Sequence, residues 1–229
     1  MKRIEDPEFD SLMARWKALG VVLECVPFAL EGADGGDRGV HRAVALATLE
    51  CVKEHYNAWW DRVVALSRSG KRPRWSLPRM EVDPDALGEG ESIDKAGFLG
   101  CGIDLVGRRL LVRGRTTAHL NHMFWSGDRE APENCVPFPL DGQWRATLSH
   151  AFLDPPYPLS GTSNEQSAAF FTWLDMLFDG LQGDCVIFRW SDASSNYFEE
   201  GRDWWGTYFW TVHAAGTDRI VGLVASTSD

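Results

Sequence analysis

Thr207-Tyr208-Phe209-Trp210-Thr211-Val212-His213 and Arg219-Ile220-Val221-Gly222-Leu223-Val224-Ala225-Ser226-Thr227 are two runs rich in β-branched and aromatic residues, separated by Ala214-Ala215-Gly216-Thr217-Asp218. Such runs on either side of a short glycine-containing connection predict a β-hairpin with a five-residue loop. One hairpin needs a sheet and a covering layer, so the rest of the chain is read for both. Upstream, residues 185–190 read as a buried strand. Before them Thr162, with Glu165 three residues later, has the form of a capping box, and Ala168, Phe171, Leu174, Leu177 and Phe178 recur at helical spacing until Gly180 supplies a stop.

The N-terminal half carries a second helical pattern. Residues 8–19 place Phe9, Leu12, Met13, Trp16 and Leu19 on one face and stop at Gly20, and residues 21–28 read as a strand. After the breaker run 31–36, Asp37 is positioned to cap a long helix over 38–69, whose apolar stripe includes Val40, Val44, Ala47, Cys51, Tyr56, Trp59, Trp60 and Val63. Adjacent Trp59 and Trp60 cannot both face one core, so one of them meets a neighbouring loop or an interface. Residues 71–95, with Pro73, Pro78, Pro84 and the acidic Glu89-Gly90-Glu91, read as a long surface loop. Residues 97–115 read as irregular β structure centred on Leu110-Leu111-Val112, and the stretch to Gln143 is loop-rich. The fold class that follows is α+β. A single domain over 1–229 is expected, with two main helices packed on a mainly antiparallel sheet that ends in the C-terminal hairpin.

Composition bounds the function. A hydrophobic fraction of 44% over 229 residues supports a substantial core, and most of the eleven tryptophans belong in it or at its edge. The net charge of −10 argues against a protein that grips a nucleic-acid backbone and suits a partner with a basic surface. Cys25, Cys51, Cys101, Cys135 and Cys185 are odd in number and form no Cys-x-x-Cys pair, which fits free thiols in a reducing compartment. The first residues lack an apolar leader region and no long apolar run follows, so a cytoplasmic location without membrane attachment is expected.

Asp154-Pro155-Pro156-Tyr157 resembles the catalytic motif of DNA adenine N6-methyltransferases, and Phe98-Leu99-Gly100-Cys101-Gly102 is similar to their cofactor loop. The resemblance implies that Asp154 and a backbone carbonyl accept hydrogen bonds from the target amino group while Tyr157 stacks on a flipped base. Spacing weighs against it. Too few residues separate Gly102 from Asp154 for the crossover units of about thirty residues that a doubly wound sheet requires, and the glycine loop leads into a strand-like run instead of a helix. His119 and His122 are three apart, but no third donor stands at a supporting spacing, so no metal and no cofactor is expected. None of the cysteines sits in a recognisable nucleophile context.

Residues 194–206 remain. Tyr197, Trp204 and Trp205 are interleaved there with Glu199, Glu200 and Asp203, and this admits two readings. The aromatics either clamp the loop onto the helix that follows Thr162, or form with the acids a rim that holds a cationic ligand or a basic protein face. The pattern Asn196-Tyr197-Phe198, Gly201, Trp204-Trp205-Gly206 and Phe209-Trp210-Thr211-Val212 resembles the C-terminus of an uncharacterised bacterial protein family. It implies a bacterial source and a shared fold, and brings no catalytic residue with it. The expected function is therefore a cytosolic protein-binding module, an acidic immunity or antitoxin-type protein that neutralises a partner effector. The alternatives are a methyltransferase-like enzyme acting through Asp154 and Tyr157, or another small-molecule enzyme with a tryptophan-lined pocket.

Overall fold

In the computed structural model, which describes residues 1–66, 79–113, 135–136 and 146–227, the C-terminal hairpin lies at the centre of a six-stranded sheet. Along the chain the elements run β1 (Lys2–Arg3), α1 (Pro7–Leu19), β2 (Glu24–Ala29), α2 (Arg38–Leu66), β3 (Glu91–Ile93) and α3 (Lys95–Leu99). Four two-residue strands follow: β4 (Ile103–Asp104), β5 (Arg109–Leu110), β6 (Val112–Arg113) and β7 (Cys135–Val136). Next come the helices α4 (Leu148–Leu153) and α5 (Ser163–Phe178), the strand β8 (Cys185–Arg189), the single turn α6 (Glu199–Arg202), and the hairpin strands β9 (Thr207–Ala214) and β10 (Arg219–Ser226).

The main sheet has the order β1-β2-β10-β9-β8-β3, and every neighbouring pair in it is antiparallel. Successive side chains of a strand point to opposite faces, and here both faces are covered. Tyr208, Trp210, Val212, Val221 and Leu223 join one core with residues of α1, α4 and α5. Phe188, Phe209 and Val224 join a second core with α2, and Val26, Phe28 and Ile220 a third. This two-sided covering is why the hairpin runs are nearly continuous in apolar residues. The α+β class and the two main helices, α2 and α5, one on each face, agree with the sequence.

The helices begin and end for local reasons. In α5, Thr162 Oγ1 accepts from the Glu165 backbone N–H and the Glu165 carboxylate accepts from the Thr162 N–H at 2.7 Å, so the capping box forms. Its stop falls one residue before Gly180, because Asp179 already takes the left-handed conformation with φ 50°. Asp37 Oδ1 accepts from the Val40 N–H at 3.0 Å and opens α2. That helix lies so close to β10 that a side chain at Gly222 would overlap Thr48. Trp60 is buried while its neighbour Trp59 is 47% exposed, the division that adjacent positions on one helix require.

Two stretches differ from the sequence reading. Gly97 lies in the short helix α3 instead of irregular β structure, because Asp94 caps it through the Gly97 N–H at 2.6 Å. Within the expected surface loop 71–95, residues 71–78 lie outside the described residues. The remainder is built into the fold: Met80 and Leu87 are buried, Val82 bridges to Ser195, and Glu91–Ile93 forms the edge strand β3. Among the described residues Cys25, Cys51 and Cys185 are free thiols, and no helix is long and apolar enough to cross a membrane.

Candidate functional site

The segment 194–206 is held rigidly. Ser195 Oγ donates to the Glu81 carbonyl at 2.6 Å, Asn196 Nδ2 donates to the Arg79 carbonyl at 2.9 Å, and Asn196 Oδ1 accepts from the Glu81 N–H at 2.8 Å. Phe198 is fully buried against Phe209, with ring centroids 5.7 Å apart. The Trp204 and Gly206 N–H groups both donate to the Gly201 carbonyl, and this closes the turn so tightly that a Cβ at Gly201 would lie 2.5 Å from the Gly206 carbonyl oxygen. Arg202 and Thr207 both donate to the Asp192 carboxylate, at 3.2 and 2.9 Å.

What this scaffold presents is the acid–aromatic set. Glu199, Glu200 and Asp203 are exposed, and Trp204 is 63% exposed. Tyr197 is half-buried, its ring 5.2 Å from Phe198, and burial, with Glu24 nearby, pushes its hydroxyl pKa up. Trp205 does not join the exposed set. Its indole N–H donates to the Asp154 carbonyl at 2.5 Å and its ring stacks on His150, so it anchors the loop to the end of α4, not to α5. The surface extends instead to the end of α2. Tyr56, whose hydroxyl pKa burial and the charge of Glu200 both raise, lies 6.1 Å from the exposed Trp59. The paired tryptophans were the sequence signal for this extension.

Asp154 and Tyr157 lie at and just beyond the end of α4. Asp154 closes the helix α4, where the methyltransferase reading expects a strand end, and its sheet is antiparallel. Its carboxylate lies 3.6 Å from His150 Nε2, and Trp205 occupies its carbonyl. The other ring nitrogen, His150 Nδ1, is hydrogen-bonded to the Tyr208 hydroxyl. Tyr157 is 61% exposed. The Asp154 carboxylate and carbonyl thus both face groups within the chain. The Phe98–Gly102 loop ends a helix instead of opening one, which leaves no row of helix N–H groups for a cofactor. A carboxylate, an imidazole and a hydroxyl in line form a general-base chain elsewhere, but Tyr208 is buried among aromatic rings and its hydroxyl also donates to the Trp205 carbonyl at 3.4 Å. The arrangement locks the tail onto α4.

A second buried histidine joins α2 to the sheet. Nε2 of His41 lies 2.9 Å from the Gly35 carbonyl, which only accepts, so Nε2 carries the proton and Nδ1 accepts from the Thr211 hydroxyl at 2.7 Å. Thr211 in turn accepts from Trp190 Nε1 at 2.9 Å. Burial lowers the His41 pKa to about 4, helped by His213, and the Gly35 carbonyl and Asp37 oppose the shift. His119 and His122 lie outside the described residues. Among the described residues no group of three His, Cys, Asp or Glu side chains is placed to hold a metal ion.

No family model matches the chain. It is similar to a glucosylceramidase from Cryptococcus neoformans var. grubii serotype A, with 28% identity over 170 residues that take in 64% of this chain and 22% of that protein. The chain thus spans about a fifth of the length of the curated relative it matches. No solved structure matches it.

Proposed function

We propose that the chain is a non-catalytic, acidic protein-binding module of the immunity or antitoxin type, which docks a basic partner on the surface formed by Glu199, Glu200, Asp203 and Trp204. One observation carries the reading. The turn packs Asn196, Phe198, Gly201 and Trp205 against the fold, and Glu199, Glu200, Asp203 and Trp204 are exposed on the same short segment. An exposed indole on a preorganised loop loses little freedom on binding, and carboxylates around it favour a cationic face. The net charge of −10 supports the same sign of partner.

The triple variant Glu199→Lys, Glu200→Lys, Asp203→Lys tests it. Exposed charges contribute little to stability, so the variant is expected to fold with an unchanged unfolding midpoint. Partners captured by the wild type from its host are expected to be lost, and raised salt is expected to weaken the wild-type complex in parallel. An unchanged set of captured proteins removes this surface from the interface.

The fungal likeness favours a second reading, in which the domain accompanies a glycolipid hydrolase and contacts the sugar side of its substrate. Retention of the protein on vesicles containing glucosylceramide, against vesicles of ceramide alone, tests that reading.

A further inference from the structure

Helix α2 has 29 residues and is about 43 Å long at the usual rise of about 1.5 Å per residue. Its apolar stripe comes to the surface before the helix ends. Residues seven apart lie on one line of a helix, and two such lines show the change. Ala45 and Val52 are buried in one core with Phe209 and Val224 of the sheet, and the next residue on their line, Trp59, is exposed. On the adjoining line Leu49 is fully buried, Tyr56 packs at the margin of the same core, and Val63 is half-buried.

The Tyr56 and Trp59 rings are tilted 47° to each other, so they form an aromatic corner instead of a stack. Beside it stands α6. Burial first, and then the charge of Glu200, raises the Tyr56 hydroxyl pKa, which places the α6 carboxylate next to this corner. Glu199 precedes Glu200 on the same turn and Asp203 closes it, and all three are exposed. Among the described residues, Arg62 of α2 donates to the Ala58 carbonyl at 3.3 Å and Arg79 pairs with Asp61, so both have partners of their own.

These features select the occupant. A second copy of the chain would set a net charge of −10 against another of the same sign, with acids meeting acids, and such contacts are penalised. Aromatic rings beside carboxylates suit a group that is both flat and cationic. A guanidinium stacks on a ring face and donates in a fork to a carboxylate, whereas a lysine ammonium is a compact, strongly hydrated point charge. The chain already contains this combination: Arg108 lies 5.0 Å from the centroid of the Phe171 ring while both its terminal nitrogens donate to the Asp175 carboxylate. We infer that the last turns of α2 and the turn α6 form one docking surface for an arginine-bearing segment of a partner protein, with a guanidinium stacked on Trp59 beside the acids of α6. This footprint rests on the basic-partner reading proposed above, and adds to it a second anchor and the kind of cation.

The test compares nona-arginine and nona-lysine peptides at physiological salt, by calorimetric titration and by the indole N–H signals in two-dimensional NMR. Trp59→Ala identifies the Trp59 signal by its disappearance, and that signal is expected to shift with the arginine peptide in the wild type. The wild type is expected to bind nona-arginine about two- to fivefold more tightly than nona-lysine, the size of one exposed cation–π contact. In Trp59→Ala the preference is expected to vanish while nona-lysine affinity stays the same, and the unfolding midpoint is expected to hold because the position is exposed. Trp59→Phe keeps a ring, is expected to retain part of the preference, and reports on the site should the alanine variant be unstable. The variant Glu199→Lys, Glu200→Lys, Asp203→Lys is expected to weaken both peptides. An arginine preference that is unaltered in Trp59→Ala, or absent from the wild type, overturns the Trp59 anchor and leaves the acidic surface standing if the triple variant still loses affinity. Unaltered binding of both peptides by the triple variant overturns both. Sedimentation that finds a wild-type dimer and a Trp59→Ala monomer assigns the surface to a second copy and overturns the inference.

Discussion

Three hydrogen bonds leave His41 no place for a second proton. Nε2–H is already given to Gly35, Nδ1 is occupied by the Thr211 hydroxyl, and protonating Nδ1 would force that hydroxyl to turn away while Trp190 still donates to it. The folded pKa of about 4 lies below the ordinary value of 6.5, so between those limits the unfolded chain binds a proton that the folded one refuses. The stability contribution is therefore complete above pH 6.5 and is lost as pH falls toward 4, by at most about 3 kcal/mol for a shift of this size. Urea unfolding of the wild type at pH 7 and pH 4.5 is expected to show the loss. His41→Gln is expected to be weaker at pH 7 but to lose less between the two, and an equal loss in both proteins would show that His41 is not the acid-sensitive group. In the sequence His41 is one polar residue within the long helix 38–69, and nothing local announces that a loop carbonyl and a threonine 170 positions away complete its bonding.

Legibility at the scale of elements follows element length and whether the stabilising contacts are local. The helix after Thr162 was readable because its cap and its apolar spacing both lie within the segment, and the structure buries Phe171, Leu174 and Phe178 as that spacing requires. Leu174→Ala is expected to cost about 2–5 kcal/mol through lost burial and the cavity left behind. Thr162→Ala, at the exposed cap, is expected to cost about 1 kcal/mol. Chemical denaturation of the two variants checks the order, and an unchanged midpoint for Leu174→Ala would place that side chain in solvent. By contrast α4 has six residues, of which Leu148, Ser149, His150, Ala151 and Phe152 are all buried, so no polar face alternates with an apolar one to mark a helix. The strand β3 is three residues long and is defined by pairing Glu91 with Arg189, a contact far outside any sequence window. The candidate surface was partly legible for the same reason: acids and an exposed indole within one short segment are local facts. Trp205 was misplaced because its partner, Asp154, is 51 positions away.

At the scale of the whole molecule, the order β1-β2-β10-β9-β8-β3 places the hairpin β9–β10 in the middle of the sheet and β1 at its edge. The hairpin itself is read easily from composition. Its central position is not, because strand order depends on which pairs bury both faces, and that depends on α1, α4 and α5 on one side and α2 on the other. This topology makes the two-sided covering of β9 and β10 depend on nearly the entire chain, so their amides should open only when the molecule unfolds globally. The edges differ. Among the described residues, the two residues of β1 and three of β3 have a neighbour on one side only, and Glu91 and Ser92 are exposed. Hydrogen exchange followed by mass spectrometry is therefore expected to show the slowest exchange in β9 and β10, with protection equal to the unfolding free energy from denaturation, intermediate rates in β2 and β8, and fast exchange in β1 and β3. Equal protection in β3 and β9 would mean that the edge is covered by something beyond this sheet. Protection in β9 well below the global value would mean that the hairpin opens independently, and that the cores on its two faces do not form one cooperative unit.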